Sequence, residues 1–279
     1  MGSTIMNPKL LHIFGPLWIN SYGLMIAIGL LLSLFISYNS SLRKKLVSGD
    51  FFLNTIFIAT IAGFIGGRLL FLVADWEQFA QNPIEILYPW EGGYSLLGAF
   101  IIVPLILIWH LRQHQVPVLQ FFDFLSLYVP LLQSVSRLGC FFAGCCYGIA
   151  LAEPTWYSVL YSNPNSLAPL HTFLHPTQLY SSLASLIIFG ILQLLSLIFL
   201  TTPGRITSLF FILEGMARFI VDFWRGDRDG FLSIGGSYST FSSFISISPY
   251  QLLALGFCIL GVIGFFVCKN PTNHTGQGK

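Results

Sequence analysis

"FFLNTIFIATIAGFIGGRLLFLVA", residues 51–74, holds a single charged side chain, Arg68. About 20 apolar residues cross the hydrocarbon of a bilayer as a helix, so this stretch is long enough to span and too apolar to face water. The whole chain agrees with it. Of 279 residues, 54% are hydrophobic and 9% charged, against roughly 25% charged in a soluble domain, and mean hydropathy is +0.75. Seven apolar runs read as spans, near 17–38, 51–74, 94–111, 117–138, 178–201, 206–224 and 249–268. The expected fold class is an all-α integral membrane protein. It is a single membrane-embedded helical domain over 1–268 with a polar cytoplasmic tail over 269–279. The first run has no basic leader beyond Lys9 and no small-residue cleavage site, so it reads as a retained span. A net charge of +2, with no basic cluster beyond Arg43-Lys44-Lys45, argues against a nucleic-acid partner.

Orientation follows from Lys and Arg, which concentrate on the cytoplasmic side. If residues 39–50 lie inside, that side holds Arg43, Lys44, Lys45, Arg112, Arg205, Lys269 and Lys279, and the other holds only Lys9, Arg225 and Arg228. The N-terminus is then outside and the C-terminus cytoplasmic. Residues 75–93, 139–177 and 225–248 face outward, the first as an interfacial arm with Trp76 and Trp90 among acids and apolar residues.

Arg68, Arg137 and Arg218 remain inside predicted spans, all in the outer half. A charge at the bilayer centre costs on the order of 3 kcal/mol or more, so such residues normally face a polar interior. One reading is that each snorkels to the interface or pairs with Asp123, Glu214 or Asp222. The other is a shared anion site, since guanidinium stays charged and its fork of donors matches phosphate. The anion most available at that depth is a phospholipid headgroup. Asn20, Ser21 and Tyr22 fall at the same level, as do His175, Thr177, Gln178 and Tyr180 of "HPTQLY". In "EGMARFIVDFWRGD", Glu214, Arg218 and Asp222 recur every four residues on one helical face, and Arg225 continues it. Gly63, Gly66, Gly67, Gly92, Gly93 and Gly98 suit close helix approach.

Cys258 and Cys268 read as packing residues of the last span. Cys140, Cys145 and Cys146, in "SRLGCFFAGCCYG", admit four readings: a zinc site, a disulfide, a thiol nucleophile beside Arg137, or a tight Gly-rich turn. The C-x4-C-C spacing matches no usual zinc set, so no metal is expected.

Together these stretches resemble the prolipoprotein diacylglyceryl transferases, over about residues 18–265. "SYGLM", "GGRL", "NPIEILYPWEGGYSLLGA", "SRLGCFFAGCCYG", "HPTQLY", "ARFIVDFWRGD" and "SPYQLLAL" are similar to that family's motifs and occur in its order. The resemblance implies a multi-pass enzyme of the bacterial inner membrane with its active site toward the periplasm. It would transfer the diacylglyceryl group of phosphatidylglycerol to the lipobox cysteine of a preprolipoprotein signal peptide. A thioether forms, glycerol-1-phosphate leaves, and no cofactor is used. Arg137 and Arg218 fall on the family's essential arginines, and with Tyr22 they are the expected catalytic residues. Arg68, Ser95, Gly98, Cys140, Gly144, Gly148, His175, Gln178, Tyr180, Glu214, Asp222 and Arg225 are the expected substrate-binding residues. The chain also departs from the pattern. Leu97 stands where the family has a histidine, Cys140 and Ala143 stand for its two asparagines, Cys145 for its glutamate, and Ser181 for an acid. The alternative reading is a paralogue that binds anionic phospholipid without catalysis, or a transferase with a different acceptor.

Overall fold

The computed structural model describes residues 8–14, 17–74, 76, 93–199, 202–227 and 247–268. The expected arm over 75–93 lies outside these but for Trp76 and Gly93. So do 228–246 of the segment 225–248, and the tail 269–279. Helices dominate: α1 (Ser21–Asn39), α2 (Ser41–Leu46), α3 (Gly49–Ala74), α4 (Leu96–Gln113), α5 (Val118–Ser126), α6 (Val129–Ala143), α7 (Thr177–Phe199), α8 (Arg205–Asp222) and α9 (Pro249–Val267). Two short hairpins accompany them, β1 (Lys9–Phe14) with β2 (Leu17–Asn20) and β3 (Val159–Leu160) with β4 (Phe173–Leu174). Helices α1, α3, α7 and α9 are long and apolar enough to cross a membrane, and the pair α5–α6 makes a fifth. The protein is therefore a mainly helical, multi-pass membrane protein.

Two boundaries differ from the sequence reading for local reasons. The first span loses its opening turn, because Leu17–Asn20 extend as β2 and the helix starts at Ser21, whose backbone N–H donates to the Pro8 carbonyl at 2.9 Å. The fourth is broken by a 42° bend between α5 and α6. Pro130, in the first turn of α6, has no N–H to offer Ser126, so the helical ladder lapses there. Beyond the bend α6 continues to Ala143, which places Arg137 inside the helix rather than at its end.

The chain packs as two units. One comprises residues 36–121 with 15–17, and the other holds 1–14, 18–35 and 122–279. In the first, α3 and α4 cross where a Cβ on Gly98 would collide with the Gly66 carbonyl. In lipid, helix association depends on such close packing, which small residues permit. In the second, a Cβ on Gly215 would come within 2.6 Å of the Ala254 carbonyl, and one on Gly261 within 2.6 Å of the Ser208 carbonyl, which locks α8 against α9. Helix α7 joins α6 through Ser182 Oγ, which donates to the Ser134 carbonyl at 2.8 Å.

Helix α8 is held at both ends by buried acids. Asp123 of α5 accepts from the N–H groups of Gly204 (2.6 Å) and Thr207 (2.7 Å) and from Thr207 Oγ1 (2.8 Å). It satisfies the orphan donors of the first turn and complements their positive dipole end. At the other end Asp222 accepts from Ser248 Oγ at 2.6 Å, and Ser248 forms a capping box with Gln251 at the start of α9. Among the described residues, the ion pair made by an intramembrane arginine is that of Arg218 with Glu214.

Candidate active site

Helical periodicity assembles a small, partly open cavity in the second unit, lined by Arg137, Ser181, Ala184, Ser185, Glu214, Ala217, Arg218 and Val221. Glu214, Ala217, Arg218 and Val221 follow at intervals of three and four on α8, so one face supplies them all. Ser181, Ala184 and Ser185 do the same on α7, and their small side chains leave the space open.

The two arginines are held differently. Arg218 Nε donates to Glu214 Oε1 at 2.8 Å, its side chain is 32% exposed, and its two terminal nitrogens have no partner among the described residues. Gln133 of α6 donates to the same Glu214 oxygen at 2.9 Å, while Oε2 is buried without a hydrogen bond among the described residues. Glu214 thus orients Arg218 and leaves its donor fork free. Arg137, half-buried, has neither a hydrogen bond nor an ion pair among the described residues. Two guanidinium groups against one carboxylate leave the cavity with one excess positive charge. Fixed donors that are unspent in the resting protein suit an anion whose charge grows during a reaction.

Tyr22 of α1 is 44% exposed and within electrostatic reach of Arg137 and Cys140. Its helix touches α6 through Gly139, where a Cβ would lie 3.1 Å from the Tyr22 carbonyl. After Ala143 the chain turns at Gly144, left-handed at φ 78°, where a side chain would strike Ser166 Oγ. Cys146 is also left-handed, at φ 56°, which costs a non-glycine residue about 1–3 kcal/mol. The first turn of α7 offsets this by gripping the turn. Thr177 Oγ1 donates to the Cys146 carbonyl at 2.8 Å, and Gln178 Nε2 donates to the Cys145 carbonyl at 2.9 Å and to Tyr161 Oη at 3.3 Å. All five cysteines are unbridged, and the sulfurs of Cys140, Cys145 and Cys146 lie within 4.8 Å of one another. Hydrogen bonds with Cys140 and Cys145, with Arg137 and Arg225 further out, push the Cys146 thiol well below its ordinary range.

The remaining expected residues make the following contacts. Gly148 donates its N–H to the His175 carbonyl at 3.1 Å and bridges Arg225, and a side chain there would strike that carbonyl. Arg225 grips Asp227 with two bonds of 2.9 and 2.8 Å and lies 5.0 Å over the Tyr250 ring. His175 Nδ1 shares a proton with Tyr180 Oη at 3.1 Å, and burial pushes the imidazole below its ordinary value. Arg68, Ser95 and Gly98 belong to the other unit. Arg68 donates to the Gly93 carbonyl at 3.2 Å and lies 5.8 Å over the Tyr94 ring, and Ser95 donates its N–H to the Gly67 carbonyl at 2.9 Å. Leu97 there is exposed. The sequence reading missed Gln133 and Ser185. Their signal is a polar residue at helical spacing from an arginine or a serine on an otherwise apolar helix.

Comparison with known proteins gives one consistent result. The family model described as prolipoprotein diacylglyceryl transferase matches residues 8–267. A phosphatidylglycerol--prolipoprotein diacylglyceryl transferase of Clostridium tetani is 33% identical over 264 residues, covering 93% of this chain and 97% of that protein. One of Wolbachia is 32% identical over 277 residues, covering 97% and 98%. A second such enzyme of Clostridium perfringens is 30% identical over 245 residues, covering 86% and 92%.

Proposed function

The chain belongs to the prolipoprotein diacylglyceryl transferase family, and on that premise we propose that it moves the diacylglyceryl group of phosphatidylglycerol onto the lipobox cysteine of a preprolipoprotein. The observation that carries this reading is the open donor set of Arg137 and Arg218 in one cavity. The headgroup phosphate is a monoanion, which the excess positive charge there balances. In the transfer, the substrate thiolate attacks the glycerol carbon, a carbon–sulfur bond forms and the carbon–oxygen bond to phosphate breaks. The second negative charge of the departing glycerol-1-phosphate develops between the two guanidinium groups, where fixed cations lower the barrier most.

Glu214 positions Arg218, and Tyr22 approaches Arg137 from α1. Gly144, Gly148 and Gln178 fix the turn that brings Cys145 and Cys146 back to Cys140 of α6 beside this site, while His175, Tyr180, Asp222 and Arg225 form its outer rim. Arg68, Ser95 and Gly98 are read as substrate-binding residues within their own unit. Leu97 cannot accept the thiol proton; His175 is an imidazole that burial keeps neutral and able to do so. The helices α1, α3, α4, α5–α6, α7, α8 and α9 act as seven spans. The N-terminus is outside, the C-terminus cytoplasmic, and the site faces the periplasm of an inner membrane; the bias of Lys and Arg supports this orientation.

Complementation tests the proposal. Expressed in bacteria depleted of their own transferase, the chain should restore growth and the diacylglyceryl thioether on a reporter lipoprotein. Stable, membrane-inserted protein that leaves the reporter unmodified would overturn it.

A further inference from the structure

The spacing of Cys140, Cys145 and Cys146 predicts no metal site, yet the fold brings their sulfurs within 4.8 Å of one another. Cys140 projects from the last turn of α6, Gly144 ends the helix left-handed, and the left-handed Cys146 swings the chain back toward it. Thr177 and Gln178 of α7 hold the carbonyls of Cys146 and Cys145 in that arrangement. The turn is therefore fixed from outside the cluster, as a preorganised site requires. We propose that these three residues form a three-thiolate site for one soft d10 cation, with Cu(I) the best fit.

Geometry and charge both select the ligand. Metal–sulfur bonds of about 2.3 Å in a trigonal plane set sulfurs about 4 Å apart, so the cluster needs to close by less than about 1 Å. No histidine or carboxylate joins the three sulfurs among the described residues. A hard cation finds no protein oxygen ligand among the described residues, and Zn(II) would need a water as its fourth ligand, whereas three soft thiolates alone complete a trigonal Cu(I) site. As the sulfurs bind, each thiol releases its proton to solvent. Three thiolates around Cu(I) leave two negative charges, and Arg137 and Arg225 are the cations in reach, although Arg225 also serves Asp227. The site does not depend on the transferase reading.

The experiment uses the full chain in detergent, reduced and anaerobic, titrated with Cu(I) against a chromophoric chelator. One Cu(I) per chain is expected to be retained, with a copper–thiolate absorption band and an X-ray absorption shell of sulfur alone. C140S, C145S and C146S should each weaken retention at least tenfold, while the C258S/C268S double variant should bind as the unmodified chain does. Cu(I) should also raise the thermal midpoint of the unmodified chain, a readout that needs no variant to fold. Absence of that rise, equal retention by the C140S/C145S/C146S triple variant, or tighter binding of Zn(II) than of Cu(I) would overturn the site. So would a disulfide among these cysteines in protein whose thiols were trapped at cell lysis.

Discussion

Replacing Arg137 by alanine removes a guanidinium that holds no other described part of the protein. Among the described residues nothing loses a hydrogen-bond partner, and the repulsion of Arg137 by Arg218 and Arg225 disappears together with its attraction to Glu214 and Cys146. Against this stands the lost packing of the aliphatic stem, so folding stability should change by no more than about 1 kcal/mol. Activity should respond differently. Deleting one preorganised donor to a developing anion costs about 2.7–4 kcal/mol, or roughly 10²–10³ in turnover. Arg137→Lys keeps the charge and loses the fork, so a loss of about ten- to thirtyfold is expected from one charge-assisted bond of about 1.5–2 kcal/mol. Arg218→Ala gives the contrast, because it also strips Glu214 of a 2.8 Å donor and should cost about 1–3 kcal/mol of stability. The assay is transfer from labelled phosphatidylglycerol to a synthetic lipobox peptide in mixed micelles, with thermal midpoints measured on the same preparations. An R137A variant that keeps a third of the activity, or whose midpoint falls as far as that of R218A, refutes the reasoning.

Other outcomes follow from the same contacts. Glu214→Ala leaves the third-exposed Arg218 uncompensated and should lower stability by about 1–3 kcal/mol, allowing for its contact with solvent, while Glu214→Gln, which keeps an acceptor, should lower it less; equal midpoints for the two would contradict this. Gly98→Ala should destabilise by about 1–3 kcal/mol because its Cβ meets the Gly66 carbonyl. By contrast Gly190→Ala, with nothing within 4 Å, should be neutral or gain up to about 1 kcal/mol in helix propensity, and a reversed order in thermal unfolding would refute the packing account. For His175, whose folded pKa lies below its ordinary value of about 6.5, the unfolded chain takes up the proton first. Stability is then fully present above about pH 6.5 and falls as pH drops below it toward the folded value; His175→Gln should flatten that slope, and a midpoint that rises on acidification relative to the variant would show the sign to be wrong.

The apolar runs made most helices legible, since period and length are local properties. α3 differs from its run by two residues at one end, and α9 by one at the other. The break before Pro130 was visible as a proline but concealed by the apolar residues next to it, Leu127, Tyr128 and Val129 before and Leu131 and Leu132 after. Arg137, Glu214 and Arg218 could be anticipated as a group because charge within a span demands a polar destination. The partnership of Gln133 with Glu214 could not, because it needs the rotation of α6 relative to α8. Nor could the cysteine cluster, because a left-handed cysteine leaves no trace in residue type. Asp123 and Asp222 looked like arginine partners; Asp123 accepts from the backbone N–H groups that open α8 and Asp222 from the Ser248 hydroxyl, since either donor attracts a buried carboxylate as a cation does.

Anchoring by Asp123 at one end and Asp222 at the other has a kinetic implication. Helix α8 cannot slip by a turn without stranding two buried carboxylates at once, so it behaves as a fixed rail that keeps Arg218 in register through every cycle. Entry of a lipid and departure of its headgroup therefore have to be accommodated by displacement of other walls of the chamber, and turnover should be insensitive to cross-links that staple α8 to α9.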